Sequence, residues 1–237
     1  MTILVARKKE NNERVSIFEY KDEMKGTLIC EEGHELIAKR GAKKKFHFAH
    51  KRKEDDDCIC NREKGTWHCW HQARIQKEYI EIIYPGRKHI ADCKNKDGLV
   101  IEFQKSIVPE ATIVEREQYY KNMIWVFCAD QHDFETTEQF KDLVLLRLVK
   151  GSKYFLAAKK PTYLDWTNKK QMLKILGRKK NYLLGQYVDI EEFDSCYLQE
   201  ILNPNPDKKE TKLDYCYEKT TNAEQENKLK EWKCEKW

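Results

Sequence analysis

An α/β (α+β) fold is predicted for this chain by three observations. From residue 67 to 129 the hydrophobic spacing runs in the order helix, strand, strand, helix, strand. Within that stretch VIEF is apolar on both faces and MIWVFCA is apolar and β-prone, as covered strands are. Ahead of it, from Thr27 to about Cys60, short apolar pieces alternate with glycine and lysine and carry cysteine and histidine. That composition suits a small β-rich unit held by metal rather than by a large core.

Residues 1 to about 26 read as short strands, ILVA and VSIFEY, broken by the polar turn KKENNER. A helix is expected from Trp67 to Tyr84, because His68, His71 or Gln72, Ile75, Tyr79 and Ile82 recur at three- and four-residue spacing before Pro85-Gly86. Two strands follow, with Gly98 supplying the left-handed position of a hairpin loop. Pro109 opens a second helix, EATIVEREQYYKN, with Ile113, Arg116, Tyr119 and Tyr120 near one face. Residues 134 to 147 look helical, KYFLAA with PTYLDW looks like a hairpin, and KQMLKIL with YLLGQYV closes the fold. Past Asn203, NPNPDKKETK reads as a linker and the rest as a charged tail. The expected segments are 1–62 (Cys/His element), 63–150 (core), 151–203 (extension) and 204–237 (tail).

With 237 residues, 36% of them charged, and a mean hydropathy of -0.86, the chain is very polar, and it has no apolar run long enough for a membrane helix. Nine cysteines, an odd number, fit thiols or metal ligands better than a disulfide framework, and the start lacks a signal-peptide pattern. An intracellular, cytoplasmic protein is expected. The net charge of +5 is concentrated: Lys39, Arg40, Lys43, Lys44, Lys45, Lys51 and Arg52 crowd one region, with Lys53 beside them. Such a cluster suits a phosphate-bearing partner, the rival reading being a solvated lysine face.

The run HIADCKNKDGLVIEFQKS places Asp92 on one arm of the hairpin and Glu102 with Gln104 on the other. With a three-residue loop, Asp92 falls opposite Glu102, and Gln104 points the same way as Glu102. Carboxylates on one face of apolar strands need compensation, and a divalent cation supplies it. The pattern suggests a metal-dependent nuclease site, against the alternative of a solvated acidic face. His68 begins the preceding helix and can lie beside the carboxylates, the alternative being a core histidine; Glu63, Glu78 and Glu81 are further candidates.

Cys30 and His34 in CEEGH, then His47 and His50 in HFAH, follow the pattern of a tetrahedral zinc site, in which Cys58 or Cys60 can replace His34 or another histidine. The rival reading is packed histidines and small hydrophobic cysteines.

Taken in order, WHCWHQ, HIADC, VIEFQKSIVP, EREQYYKN and MIWVF resemble the CoiA-like competence protein family of predicted nucleases. The Cys30–His50 element and KKPTYLD extend the likeness over roughly residues 28 to 195. The resemblance implies a restriction-endonuclease-like fold with a PD-(D/E)XK centre and Mg²⁺ (or Mn²⁺) dependence. It makes Asp92 and Glu102 the metal ligands, puts Gln104 in the place of the motif lysine, and makes His68 the accessory residue. Where the family tends to carry its second cysteine stands Gly33, so His34 must serve, and Gln72 stands where many members have lysine. The function expected is metal-dependent hydrolysis of DNA in uptake, recombination, repair or defence. The alternative is a nuclease-fold adaptor that binds nucleic acid with little catalysis, and a weaker one is a zinc-held protein-interaction module.

Overall fold

The computed structural model describes residues 3–40, 46–52, 58, 66–84, 89–130, 132–150, 153–167, 169–203, 227, 228 and 230. Two compact units divide the chain: residues 1–98 with 200–203, and residues 99–199 with 204–237. Asp92 belongs to the first and Glu102 to the second.

In the first unit, β1 (Val5–Lys8) pairs antiparallel with β2 (Arg14–Ser16) and β3 (Leu28–Ile29), in the order β2-β1-β3. The turn between β1 and β2 places Asn12 at φ 63, a left-handed position asparagine tolerates. The strand expected over VSIFEY stops at Ser16, whose N–H donates to the Glu19 carboxylate while Glu19 N–H returns a bond to the Ser16 carbonyl. A hairpin follows, β4 (Leu36–Lys39) against β5 (His47–His50), with Leu36 opposite His50 and Lys39 opposite His47.

The helix expected from Trp67 to Tyr84 is shorter. Helix α1 spans Thr66–Ala73, a 3-10 turn covers Lys77–Tyr79, and β6 (Ile80–Ile83) pairs antiparallel with β7 (Ile90–Lys94). The Gln76 N–H bonds the Ile201 carbonyl and Ile75 bridges Leu202, which takes the chain out of its helix. Beyond that point the β-branched residues Ile80, Ile82 and Ile83 suit a sheet. Glu78 and Glu81 therefore leave the helix of His68. Gly98 takes φ +77, and its N–H bonds the Asn95 carbonyl, as the expected loop requires.

The second unit holds a large mixed sheet built on β8 (Val100–Gln104), α2 (Glu110–Tyr120) and β9 (Met123–Cys128). It continues through β10 (Asp133–Phe140), β11 (Leu143–Lys150), β12 (Thr162–Asp165), β13 (Gln171–Lys179), β14 (Tyr182–Asp189) and α3 (Ile190–Tyr197). The strands lie in the order β10-β11-β14-β13-β12-β9-β8, with β9 parallel to both β8 and β12 and the other pairs antiparallel. Every residue of β8 and β9 is buried, as their two-sided apolar runs predict.

Two expectations fail here. Residues 134 to 147 form β10 and β11 rather than a helix, with Lys141 at φ 56 in the tight turn between them. KYFLAA contributes a 3-10 turn, Tyr154–Ala157, and PTYLDW supplies β12, which pairs with β9 and β13 instead of closing a local hairpin. Among the described residues no helix is long and apolar enough to cross a membrane.

Candidate functional site

Cys30, His34, His50 and Cys58 bring one donor atom each to within 4.8 Å of one another. The chain leaves β3 at Ile29 and folds back on itself at once. The Cys30 N–H bonds the His34 carbonyl at 2.9 Å, and the Gly33 N–H bonds the Cys30 carbonyl at 3.0 Å. Gly33 sits at φ +88, a left-handed conformation that favours glycine and closes this turn. The Glu32 N–H points at Cys30 Sγ, 3.3 Å away, and helps to fix the position of the sulfur. Glu31 accepts from Arg7 at 2.5 Å and Arg14 at 3.2 Å, which ties this turn to β1 and β2. Burial pulls the Arg14 guanidinium below its usual range, and neighbouring Glu31 opposes that shift.

Tetrahedral zinc with Zn–S of about 2.3 Å and Zn–N of about 2.0 Å separates two sulfurs by about 3.8 Å and a sulfur from a nitrogen by about 3.5 Å. Here Cys30 Sγ lies 3.8 Å from Cys58 Sγ and 3.5 Å from His34 Nδ1. Cys30, His50 and Cys58 are buried and His34 is half-buried. The cluster can hold a metal such as zinc. His47, expected among the ligands, is not in it, and Cys58 takes its place. A three-residue spacing along a strand puts two side chains on opposite faces, so with His50 turned inward beside Phe48, His47 faces away. Cys60 lies outside the described residues.

Elsewhere in the first unit, His68 Nε2 on α1 approaches Asp92 Oδ1 on β7 to 3.1 Å. One turn along the helix, the fully buried Gln72 donates from Nε2 to the Asp92 main-chain oxygen at 2.9 Å. The side chains of His68 and Asp92 are 13% and 14% exposed, so the pair is largely withdrawn from solvent.

In the second unit, Glu102 and Gln104 share a face of β8 by strand alternation. Glu102, only 1% exposed, is paired with the Arg116 guanidinium on α2. Gln104 donates from Nε2 to the Ser106 carbonyl at 2.7 Å and to Ser106 Oγ at 2.9 Å. Next to Arg116, the buried Glu117 accepts from Trp125 Nε1 on β9 at 3.1 Å and from the Lys159 and Lys160 N–H groups at 2.8 and 3.0 Å.

The basic region divides. Lys39, Arg40 and Arg52 are exposed, with the Arg40 guanidinium 5.1 Å from the Phe46 ring centre and 5.9 Å from that of Tyr20. Lys51 instead pairs with Glu35, which also holds Lys9. Lys43, Lys44, Lys45 and Lys53 lie outside the described residues, as does Glu63.

Sequence reasoning placed Arg116 on the right helix without giving it a role and overlooked Glu117; a glutamate on the buried face of an amphipathic helix was the available signal. Comparison with protein-family models, curated proteins and solved structures finds no match.

Proposed function

We propose that the chain is a metal-dependent nuclease of the PD-(D/E)XK type that hydrolyses DNA phosphodiester bonds, as its resemblance to the CoiA-like family implies. The observation that carries this reading is Glu102, an almost wholly buried carboxylate on a strand covered on both faces and balanced by a cationic side chain. Nothing in packing alone calls for a charge at that place, and burying one is costly. The chain order α1-β6-β7-β8-α2-β9 supports the expected core, and the short connection at residues 95–99 joins the strands of Asp92 and Glu102.

In this reading Asp92 and Glu102 hold a divalent cation. When bound, the cation polarises the phosphoryl oxygen and lowers the pKa of water. His68, fixed by Asp92, orients the attacking water and takes up its proton. The water oxygen forms the new P–O bond as the bond to the leaving oxygen breaks, and the leaving oxygen takes a proton from solvent. Gln104 spends both amide hydrogens on Ser106, so its remaining function toward water is as an acceptor through Oε1. The Cys30-His34-His50-Cys58 cluster holds a structural zinc. Lys39, Arg40 and Arg52, with the neighbouring lysines, grip the phosphate backbone, so binding weakens steeply with salt and shows little base preference.

A second reading, a nucleic-acid-binding adaptor with little catalysis, draws support from the same pair: Arg116 already neutralises Glu102, and Gln104 is no cation. Titrating Mg²⁺ and Mn²⁺ against the purified chain with plasmid and single-stranded DNA separates the two. A nuclease cuts only with metal, whereas an adaptor retards the DNA on a gel and leaves it whole.

A further inference from the structure

The hydrolysis just described needs a positive group to meet the negative charge that builds on the phosphoryl oxygens as water adds. Apart from the metal ion, none of the residues assigned to the reacting centre, Asp92, Glu102, Gln104 and His68, supplies a permanent positive charge. Gln104 stands where the PD-(D/E)XK pattern has lysine, and its two N–H donors are turned to Ser106. Lys105 is adjacent, but side-chain alternation along the chain turns it away from the face that Glu102 and Gln104 share.

The cation at this face comes from α2. Arg116 donates from Nη1 to Glu102 Oε2, with the two side chains 16% and 1% exposed. Its direction is set by its neighbours. Ile113, Glu117 and Tyr120 are buried, and Glu117 is pinned by Trp125 Nε1 and two main-chain N–H groups, which fixes the rotation of the helix about its axis. A guanidinium presents five N–H donors in a rigid plane, so it can bridge a carboxylate and a phosphate together; an ammonium is a point charge without that geometry.

We propose that Arg116 is the cationic catalytic residue of this site, in the position of function that the motif lysine holds elsewhere. In the resting protein it orients Glu102, and with DNA bound it donates to the phosphoryl oxygens as charge develops on them. The inference rests on the nuclease reading and adds to it a residue that the motif does not contain.

The test compares the full chain with Arg116→Ala and Arg116→Lys, using Asp92→Ala as the inactive reference. Three quantities are measured: single-turnover DNA cleavage, Mn²⁺ binding followed by electron paramagnetic resonance, and cleavage with added guanidinium ion. Arg116→Ala should lower kcat by about a hundredfold or more while changing KM by less than about threefold. Its Mn²⁺ affinity should be equal to or higher than that of the parent, because a competing cation has left Glu102. Guanidinium ion should restore at least about tenfold of the lost rate, and Arg116→Lys should recover part of it, as a lost transition-state contact predicts.

Cleavage by Arg116→Ala within about threefold of the parent rate overturns the inference and leaves the nuclease reading standing. Parallel loss of Mn²⁺ binding and cleavage without rescue also overturns it, because Arg116 is then only a support for Glu102. If Arg116→Ala fails to fold, Arg116→Lys decides: a parent-like kcat counts against the inference, and a selective fall in kcat with Mn²⁺ binding kept counts for it. A parent chain that binds Mn²⁺ but cuts nothing overturns both the inference and the nuclease reading and is recognised by the inactivity of the parent itself.

Discussion

Nε2 of His68 lies 3.1 Å from Oδ1 of Asp92, and Gln72, one helical turn further on, donates to the main-chain oxygen of the same aspartate at 2.9 Å. Helix α1 thus grips a single strand residue by its side chain and by its backbone. Because Gln72 is fully buried, Gln72→Ala strands a carbonyl away from water and should destabilise the fold by about 1–3 kcal/mol. Urea unfolding measures this, and an unchanged midpoint would show that the bond contributes nothing. His68→Ala removes the neighbour that orients Asp92, and is expected to lower cleavage while DNA binding persists.

The metal cluster makes a prediction that separates two histidines of one strand. Purified protein should carry one zinc per chain by elemental analysis. Cys30→Ser, Cys58→Ser and His50→Ala should each lose it, whereas His47→Ala, on the other face of β5, should keep it. Stripping the metal should also lower the melting temperature, since a small element of this kind draws folding energy from its ion. Zinc retention by Cys58→Ser would contradict the ligand set.

Lys51 and then Lys9, by hydrogen bonding to Glu35, hold its carboxyl down at about 2 against a usual 4.5. A depressed carboxyl stabilises the folded state above its unfolded pKa, and this contribution fades as pH falls from 4.5 through about 2. The Glu35 side chain is 36% exposed and its lysine partners are open to solvent, so the effect is small and shrinks with salt. Acid unfolding of the parent and Glu35→Gln should therefore converge toward low pH and differ above pH 4.5 at low ionic strength. Parallel curves across that window would remove this pairing from the account.

Glu117 is a buried glutamate that serves as a hydrogen-bond hub, so its replacement should be costly. Glu117→Ala leaves the Trp125 indole and the Lys159 and Lys160 N–H groups without their acceptor and should cost at least about 2 kcal/mol. Chemical denaturation monitored by tryptophan fluorescence tests this; a loss under about 0.5 kcal/mol, typical of a surface change, would count against it.

Local features were legible where one physical rule dominates. VIEFQ and MIWVFC read as covered strands because apolar residues occupy both faces, Pro109 marks the start of α2, and Gly98 marks a left-handed turn position. The helix over residues 67 to 84 was overextended because Ile75, Tyr79 and Ile82, at four- and three-residue spacing, continue a helix face while being residues that also suit a strand. Main-chain bonding to Ile201 and Leu202, remote in sequence, decides between them. Residues 134 to 147 misled for a related reason, since Thr136, Thr137 and Val144 carry β preference inside a charge pattern that also suits a helix.

At the site, the acidic residues and the approach of His68 to Asp92 were visible, whereas the helix partner of Glu102 was not. Sequence reasoning held that a buried Glu102 needs compensation and assigned that to a metal; a helix residue fourteen positions on, Arg116, is what pairs with it. Cys58 could be named only as an alternative ligand, because its approach to Cys30, 28 residues earlier, depends on tertiary folding. Such pairings leave no local spacing to recognise.

The central claim is metal-dependent scission of a phosphodiester by a site that includes Asp92. It is tested most directly by incubating end-labelled DNA with the purified full chain and with Asp92→Ala over a range of Mg²⁺ concentrations, with DNA retention measured on the same samples. The account predicts cleavage by the parent that rises with Mg²⁺ and vanishes on chelation, and a variant that binds DNA yet leaves it intact. Equal cleavage by the two proteins, or intact DNA with the parent at every metal concentration, would contradict it.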